Sequence, residues 1–160
     1  MIETTEFTLW AYGGTPVRNP GPGGWAYILH DGLQTDGAFG GEQEDTTNNV
    51  MELKAVLAGL ARVPEGASVT VYSDSRYVVD GASNWIVGWK RNGWRRARRR
   101  PVENAELWRQ LDRLISSRPV KWQWIRQGSG GRYHDACIRK AKSIGRTDDY
   151  LEVGASAQAA

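Results

Sequence analysis

The chain has 160 residues, two-fifths of them hydrophobic, which suits one domain around one core and excludes a string of domains. Cys137 is the only cysteine, so no internal disulfide can form, and no run approaches the roughly 20 apolar residues that cross a bilayer. The net charge of +3 is unevenly spread: seven cations and no acid lie between Lys90 and Arg100, against 14 basic and 18 acidic residues elsewhere.

In chain order, Phe7 to Tyr12 predicts a strand. Asn19-Pro-Gly-Pro-Gly-Gly24 reads as a rigid turn, without the context of a phosphate-cradling loop. Trp25 to His30 and Leu33 to Gly40 predict two further strands, with Asp31-Gly32 as the hairpin between them. Thr46 and Thr47 can cap a helix whose apolar stripe is Leu53, Val56, Leu57 and Leu60, and Pro64 and Gly66 end it. Ser68 to Tyr72 suits a buried central strand, and Ser75 to Trp85 a short helix.

The basic, tryptophan-rich stretch that follows has no long period. A second amphipathic helix carries Leu107, Trp108, Leu111, Leu114 and Ile115 on one face, and Val120 to Arg126 predicts the last strand. Gly128 to Gly131 leads into a short final helix through Cys137 and Ala141. Residues 1–146 read as the domain and 147–160 as a disordered tail. Trp10, Trp25 and Trp108 are expected in the core, with Trp122 and Trp124 on one side of their strand. A three-strand meander feeding alternating helices and strands predicts an α/β fold, a mixed sheet flanked by helices.

Several stretches resemble one family in series. They are Asn19-Pro-Gly-Pro-Gly-Gly24, Thr46-Thr-Asn-Asn-Val-Met-Glu-Leu53, Ser73-Asp-Ser-Arg-Tyr-Val78 and Trp85-Ile-Val-Gly-Trp-Lys-Arg-Asn-Gly-Trp94. Pro101-Val-Glu-Asn104 and Lys121-Trp-Gln-Trp124 continue the series. From about Phe7 to Ile144 the chain is similar to bacterial type 1 ribonuclease H. The resemblance implies a ribonuclease H-like fold, a five-stranded mixed sheet with a basic handle insertion. It also implies an endonuclease that cuts the RNA strand of RNA/DNA hybrids with Mg²⁺. In that chemistry two ions about 4 Å apart clamp the attacking water and the leaving oxygen, and they need a cluster of carboxylates.

The resemblance places two of the family's acids at Glu52 and Asp74. It places the first-strand aspartate at Gly13, the loop histidine at Gly128 and the last-helix aspartate at Ile138, none of which offers an oxygen or an imidazole. The expectation is therefore no metal, or at most one weak Mg²⁺ at Glu52 and Asp74, and no other cofactor. Mg²⁺ or Mn²⁺ belongs only to the alternative, an active or remodelled ribonuclease H. Asp135 and His134 are weighed as local substitutes, against the plainer reading of a capping Asp and a surface His at a helix start. Lys142 or Arg139 is expected to stand as an internal cation where Mg²⁺ would be.

The grip on nucleic acid is expected to persist. By resemblance, Asn19, Asn48 and Asn49 face the minor groove, where a 2′-hydroxyl marks RNA, and Arg76 stands in place of the family's glutamine, able to donate to base edges or phosphate less selectively. Thr47 and Asn104 match a DNA-phosphate pocket, which Asp45 weakens. Trp85, Trp89, Lys90, Arg91, Trp94, Arg95, Arg96, Arg98, Arg99 and Arg100 form the handle, where indoles stack and guanidiniums pair phosphate. Packing against the body is the plainer expectation for Trp85, with Trp89 as a second candidate, and less so for Trp94. The expected protein is a cytoplasmic monomer that binds RNA/DNA hybrid or another A-form duplex, with cleavage lost or strongly reduced. It is expected to use no membrane. A protein-interaction module with a vestigial nucleic-acid surface is the third reading, and the basic patch argues against it.

Overall fold

The computed structural model describes residues 6–35 and 39–145. Five strands, β1 (Glu6–Gly14), β2 (Gly21–His30), β3 (Phe39–Thr46), β4 (Ser68–Ser73) and β5 (Val120–Trp124), form one sheet in the order β3-β2-β1-β4-β5. β1 runs antiparallel to β2, and β2 to β3. β1 and β4 pair in parallel, as do β4 and β5. The helices are α1 (Asn48–Leu60), α2 (Arg76–Asp80), α3 (Ile86–Arg91), α4 (Ala105–Ser116) and α5 (Gly131–Gly145). This is the expected ribonuclease H-like α/β architecture.

Alternation along β1 decides the layers. Phe7, Leu9 and Ala11 point to one face and are buried with Leu53, Val56 and Leu60 of α1 and Trp108 and Leu111 of α4. Trp10 and Tyr12 point to the other face, where α5 lays Cys137 and Ala141 over Ala26 and Ile28. Trp108 is fully buried as expected. Trp10 and Trp25 are only partly buried, Trp10 under α5 and Trp25 against the main core.

Several boundaries differ from the sequence expectation. The glycine-proline run is no turn from Gly21 onward: it is the first part of β2, and the connection ends at the cis Asn19–Pro20 bond. A Cβ at Gly23 would come within 2.5 Å of Thr46 Cγ2, so glycine there lets β2 lie close under β3, and the register shifts between Gly21 and Gly23. The third strand begins at Phe39, not Leu33. Asp31 Oδ1 accepts from the N–H groups of Leu33 and Gln34 and holds them in the turn, leaving Leu33 94% exposed. Thr47 alone caps α1, accepting from Val50 N, while Thr46 ends β3 with its hydroxyl buried.

The helix after β4 does not stop at Trp85. A π-helical turn, Gly81–Trp85, joins α2 to α3 and carries the chain to Arg91. β5 ends at Trp124, two residues short of its expected end, and α5 runs for 15 residues rather than forming a short helix. The expected tail, 147–160, lies outside the described residues.

Candidate nucleic-acid interface and acidic corner

The parallel pairing of β1 with β4 ends at Ala11 opposite Ser73, so the residues just beyond it share one corner. Asp74 follows β4, and Glu52 projects from α1, which crosses β1. Both line a cavity of about 330 Å³ with Tyr12, Gly13, Gly14, Asn48, Gln127 and Lys142. The two remnant acids expected from sequence are thus brought together. Ser75 Oγ, which also caps α2, donates to Glu52 Oε2 at 2.7 Å, and Trp124 Nε1 donates to the Asp74 carbonyl at 3.1 Å.

Burial pushes the Glu52 carboxyl up to about 7, against the Ser75 hydrogen bond and helped by the negative charge of Asp74. Burial likewise pushes Asp74 up to about 6, although a backbone hydrogen bond and the positive charge of Lys142 pull it down. Tyr12 is raised by burial and by both carboxylates. Two half-buried acids therefore share the corner with the Lys142 ammonium. Of the two candidate internal cations, Lys142 lines this cavity. Arg139 lines a neighbouring one with Gln127, Gly128, Asp135 and Ile138, and it is exposed.

The two local substitutes, His134 and Asp135, are placed differently from expectation. His134 is no surface residue: it is fully buried, with its Nε2 4.0 Å from Asp74 Oδ2 and neither ring nitrogen hydrogen-bonded among the described residues. Burial lowers its pKa, so the imidazole is neutral at pH 7 and this approach is not an ion pair. Asp135 does not cap α5, which starts at Gly131, and it faces the Ile138 cavity instead of Glu52 and Asp74. Gly128 occupies a left-handed turn (φ 87°). Among the described residues, no group of three His, Cys, Asp or Glu is placed to hold a metal ion.

Of the residues expected to grip nucleic acid, Asn48 lines this corner. Asn19 Oδ1 accepts from Asn48 N at 3.2 Å, and Asn48 Oδ1 accepts from both the backbone and the hydroxyl of Thr15 at 2.8 Å. These bonds fasten the loop after β1 to the start of α1, where Asn49 also lies. Sequence reading assigned the asparagines to a groove and missed this bracing, for which Thr15 carries no motif. Arg76 lays its guanidinium over the Trp124 ring, 3.8 Å from its centroid. Asn104, in a left-handed conformation, donates to Tyr77 Oη at 3.1 Å, and Trp108 Nε1 donates to the same oxygen at 2.9 Å.

Lys90 and Arg91 end α3, and Lys90 pairs with Asp112 at 3.2 Å. Beyond them Arg96 N donates to the Arg100 carbonyl, closing a tight loop in which Arg98 and Arg99 take positive φ (60° and 59°). All five arginines from Arg95 to Arg100 are exposed, and Arg95, Arg96 and Arg99 line a broad cavity with Trp85, Trp89 and Asn92. The plainer expectation for Trp85 is met only in part: it touches Tyr77 and Trp89 but stays 41% exposed. Trp94 is more inward than expected, packed against the main core with Arg109 over its ring.

Residues 6–143 match the RNase H family. The chain belongs to the ribonuclease H family. The chain is 51% identical over 112 residues to Ribonuclease H of Rhodospirillum rubrum, covering 70% of this chain and 67% of the relative. A crystal structure of LC9-RNase H1, a type 1 RNase H with the type 2 active-site motif, superposes with a TM-score of 0.76 at 24% identity. It covers 91% of this chain and 74% of that one. LC11-RNase H1, solved in complex with RNA/DNA hybrid, gives 0.66 at 18% identity over 91% and 99% of the two chains. Among the described residues, no helix is long and apolar enough to cross a membrane.

Proposed function

We propose that this member of the ribonuclease H family binds RNA/DNA hybrid, or another A-form duplex, and does not cleave it at a rate that matters. The carrying observation is the make-up of the acidic corner: Glu52 and Asp74 stand with Lys142, and the other family positions are Gly13, Gly128 and Ile138. Two divalent ions need more oxygen donors than two carboxylates supply, and a resident ammonium repels them. These residues do not fit a metal pair, so no catalytic step runs through one. Losing a metal position and the carboxylates that would hold it costs several kcal/mol of transition-state stabilisation, roughly 10³-fold or more in rate.

The binding half of the reading is supported by the exposed arginine loop, by the asparagine-braced entry to α1, and by a neighbour in the same fold that is solved with RNA/DNA hybrid. A single buried thiol, Cys137, suits a monomer in the reducing cytoplasm. The alternative, a working or remodelled nuclease, is favoured by one observation: relatives named Ribonuclease H share about half its residues over the matched span.

A labelled hybrid separates the two readings. Its anisotropy, titrated from about 50 to about 300 mM salt, should report binding that weakens steeply with salt. With about 5 mM Mg²⁺ or Mn²⁺, the parent protein and Glu52→Gln should leave the RNA strand equally intact. Cleavage by the parent that Glu52→Gln abolishes would overturn the proposal.

A further inference from the structure

The missing first-strand acid has left more than a missing side chain. An ideal Cβ built at Gly13 would lie 2.2 Å from the carbonyl carbon of Met51, 2.3 Å from its oxygen and 2.5 Å from Glu52 N. These are backbone atoms of α1, not the ends of flexible side chains. Real Cβ atoms do not approach so closely, so any side chain at 13 requires the helix or the strand to move. The neighbouring Gly14 is different. A Cβ there would meet only Tyr12 and Asn48 side-chain atoms at 3.5–3.8 Å, ordinary contact distances.

The register of the sheet leaves β1 little freedom to retreat. Gly13 pairs with Trp25 of β2, two residues earlier Ala11 pairs with Ser73 of β4, and Leu9 is buried under α1. The helix is held from its own side by fully buried Met51 and Leu53 and, at its start, by the Asn19–Asn48–Thr15 bonds. Glycine at 13 is therefore part of how helix and strand meet.

We infer that the catalytic corner is closed by backbone packing: α1 rests on β1 at Gly13, in the space that an aspartate Cβ would need. The disabling is then structural, and reinstating acids at 13 and 138 does not rebuild a metal pair. This inference rests on the inactive-binder reading for its meaning but not for its test.

The experiment compares Gly13→Ala, Gly14→Ala, Ile138→Asp and the double variant Gly13→Asp/Ile138→Asp by thermal melting and by Mn²⁺ calorimetry. Gly13→Ala should melt about 5 °C or more below the parent, and Gly14→Ala within about 2 °C of it. The double variant should take up no Mn²⁺ at millimolar concentration, or fail to fold while Ile138→Asp alone folds. A Gly13→Ala protein that melts with the parent would overturn the inference, and so would a double variant that binds two Mn²⁺ ions per chain. Hybrid cleavage by the parent would instead overturn the functional reading and leave the packing result standing, so the two failures are distinguishable.

Discussion

The handle and the acidic corner sit in one domain and follow opposite rules. The handle spends its charge in water: five exposed arginines between Arg95 and Arg100 stand on a loop with two left-handed residues. The corner hides its charge: Glu52 and Asp74 are half-buried, raised toward neutrality by burial, and accompanied by Lys142. Exposed like charges cost little because water screens them, and they remain available to a polyanion. Buried like charges are expensive unless a proton or a cation joins them. On the proposed function, binding and cutting are separable because they depend on different dielectric surroundings.

The largest test of this contrast removes the handle's charge. Replacing Arg95, Arg96, Arg98, Arg99 and Arg100 by alanine should weaken hybrid binding at about 100 mM salt by roughly 10³-fold. It should also flatten the slope of log affinity against log salt by about 4, measured by anisotropy. The melting temperature should barely move, since none of the five is buried.

Next comes the corner. Folded Glu52 and Asp74 hold their protons up to about 7 and about 6, above the ordinary 4.5 and 3.8. The native state therefore binds more protons than the unfolded chain between those limits. The stability this confers is complete below about pH 4 and is lost as pH rises through about 6 to 7. Melting temperature should fall from about pH 5 to about pH 8, and Glu52→Gln should remove most of the fall, gaining on the order of 2 kcal/mol at the alkaline end. A parent protein that grows more stable over that range would contradict the buried-pair picture.

Smaller effects follow. Thr47→Ala removes the hydroxyl that accepts from Val50 N and should cost about 1 kcal/mol in denaturant unfolding. Lys142→Met takes the cation from beside Asp74. Carboxyl NMR should then show Asp74 titrating at higher pH, with a stability loss below about 1 kcal/mol at about pH 8. The smallest expected effect is none: EDTA should leave hybrid affinity unchanged within about twofold. A large loss of affinity would mean that a divalent ion bridges protein and phosphate after all.

Much of this was legible in the sequence. The stretches Phe7 to Tyr12, Ser68 to Tyr72 and Val120 to Arg126 gave β1, β4 and, two residues too long, β5. The Thr47 cap and the Leu53–Leu60 stripe gave α1, and the resemblance brought Glu52 and Asp74 to one corner. Other features were not legible, for physical reasons. The glycine-proline run looks like a turn because local preference cannot reveal that Gly23 lies under Thr46. The continuation to α3 passes through a π turn, a local widening of the helix that no residue preference marks, so the end at Trp85 was misplaced. His134 looked like a surface residue because nothing local reports that α5 lays it against Tyr12 and Asp74. The close approach at Gly13 depends on the distance between two elements distant in sequence, which no single stretch encodes.

The root of the handle reaches further inward than its charges do. Trp89 meets the wholly buried ring of Trp108 edge-on, with centroids 5.1 Å apart, and Trp85 lies against Trp89. The exposed arginines thus stand beside a line of indoles that runs from the surface into the core. A polyanion held on those arginines would lie beside Trp85 and Trp89, and indole fluorescence would then report its arrival from the edge of the core.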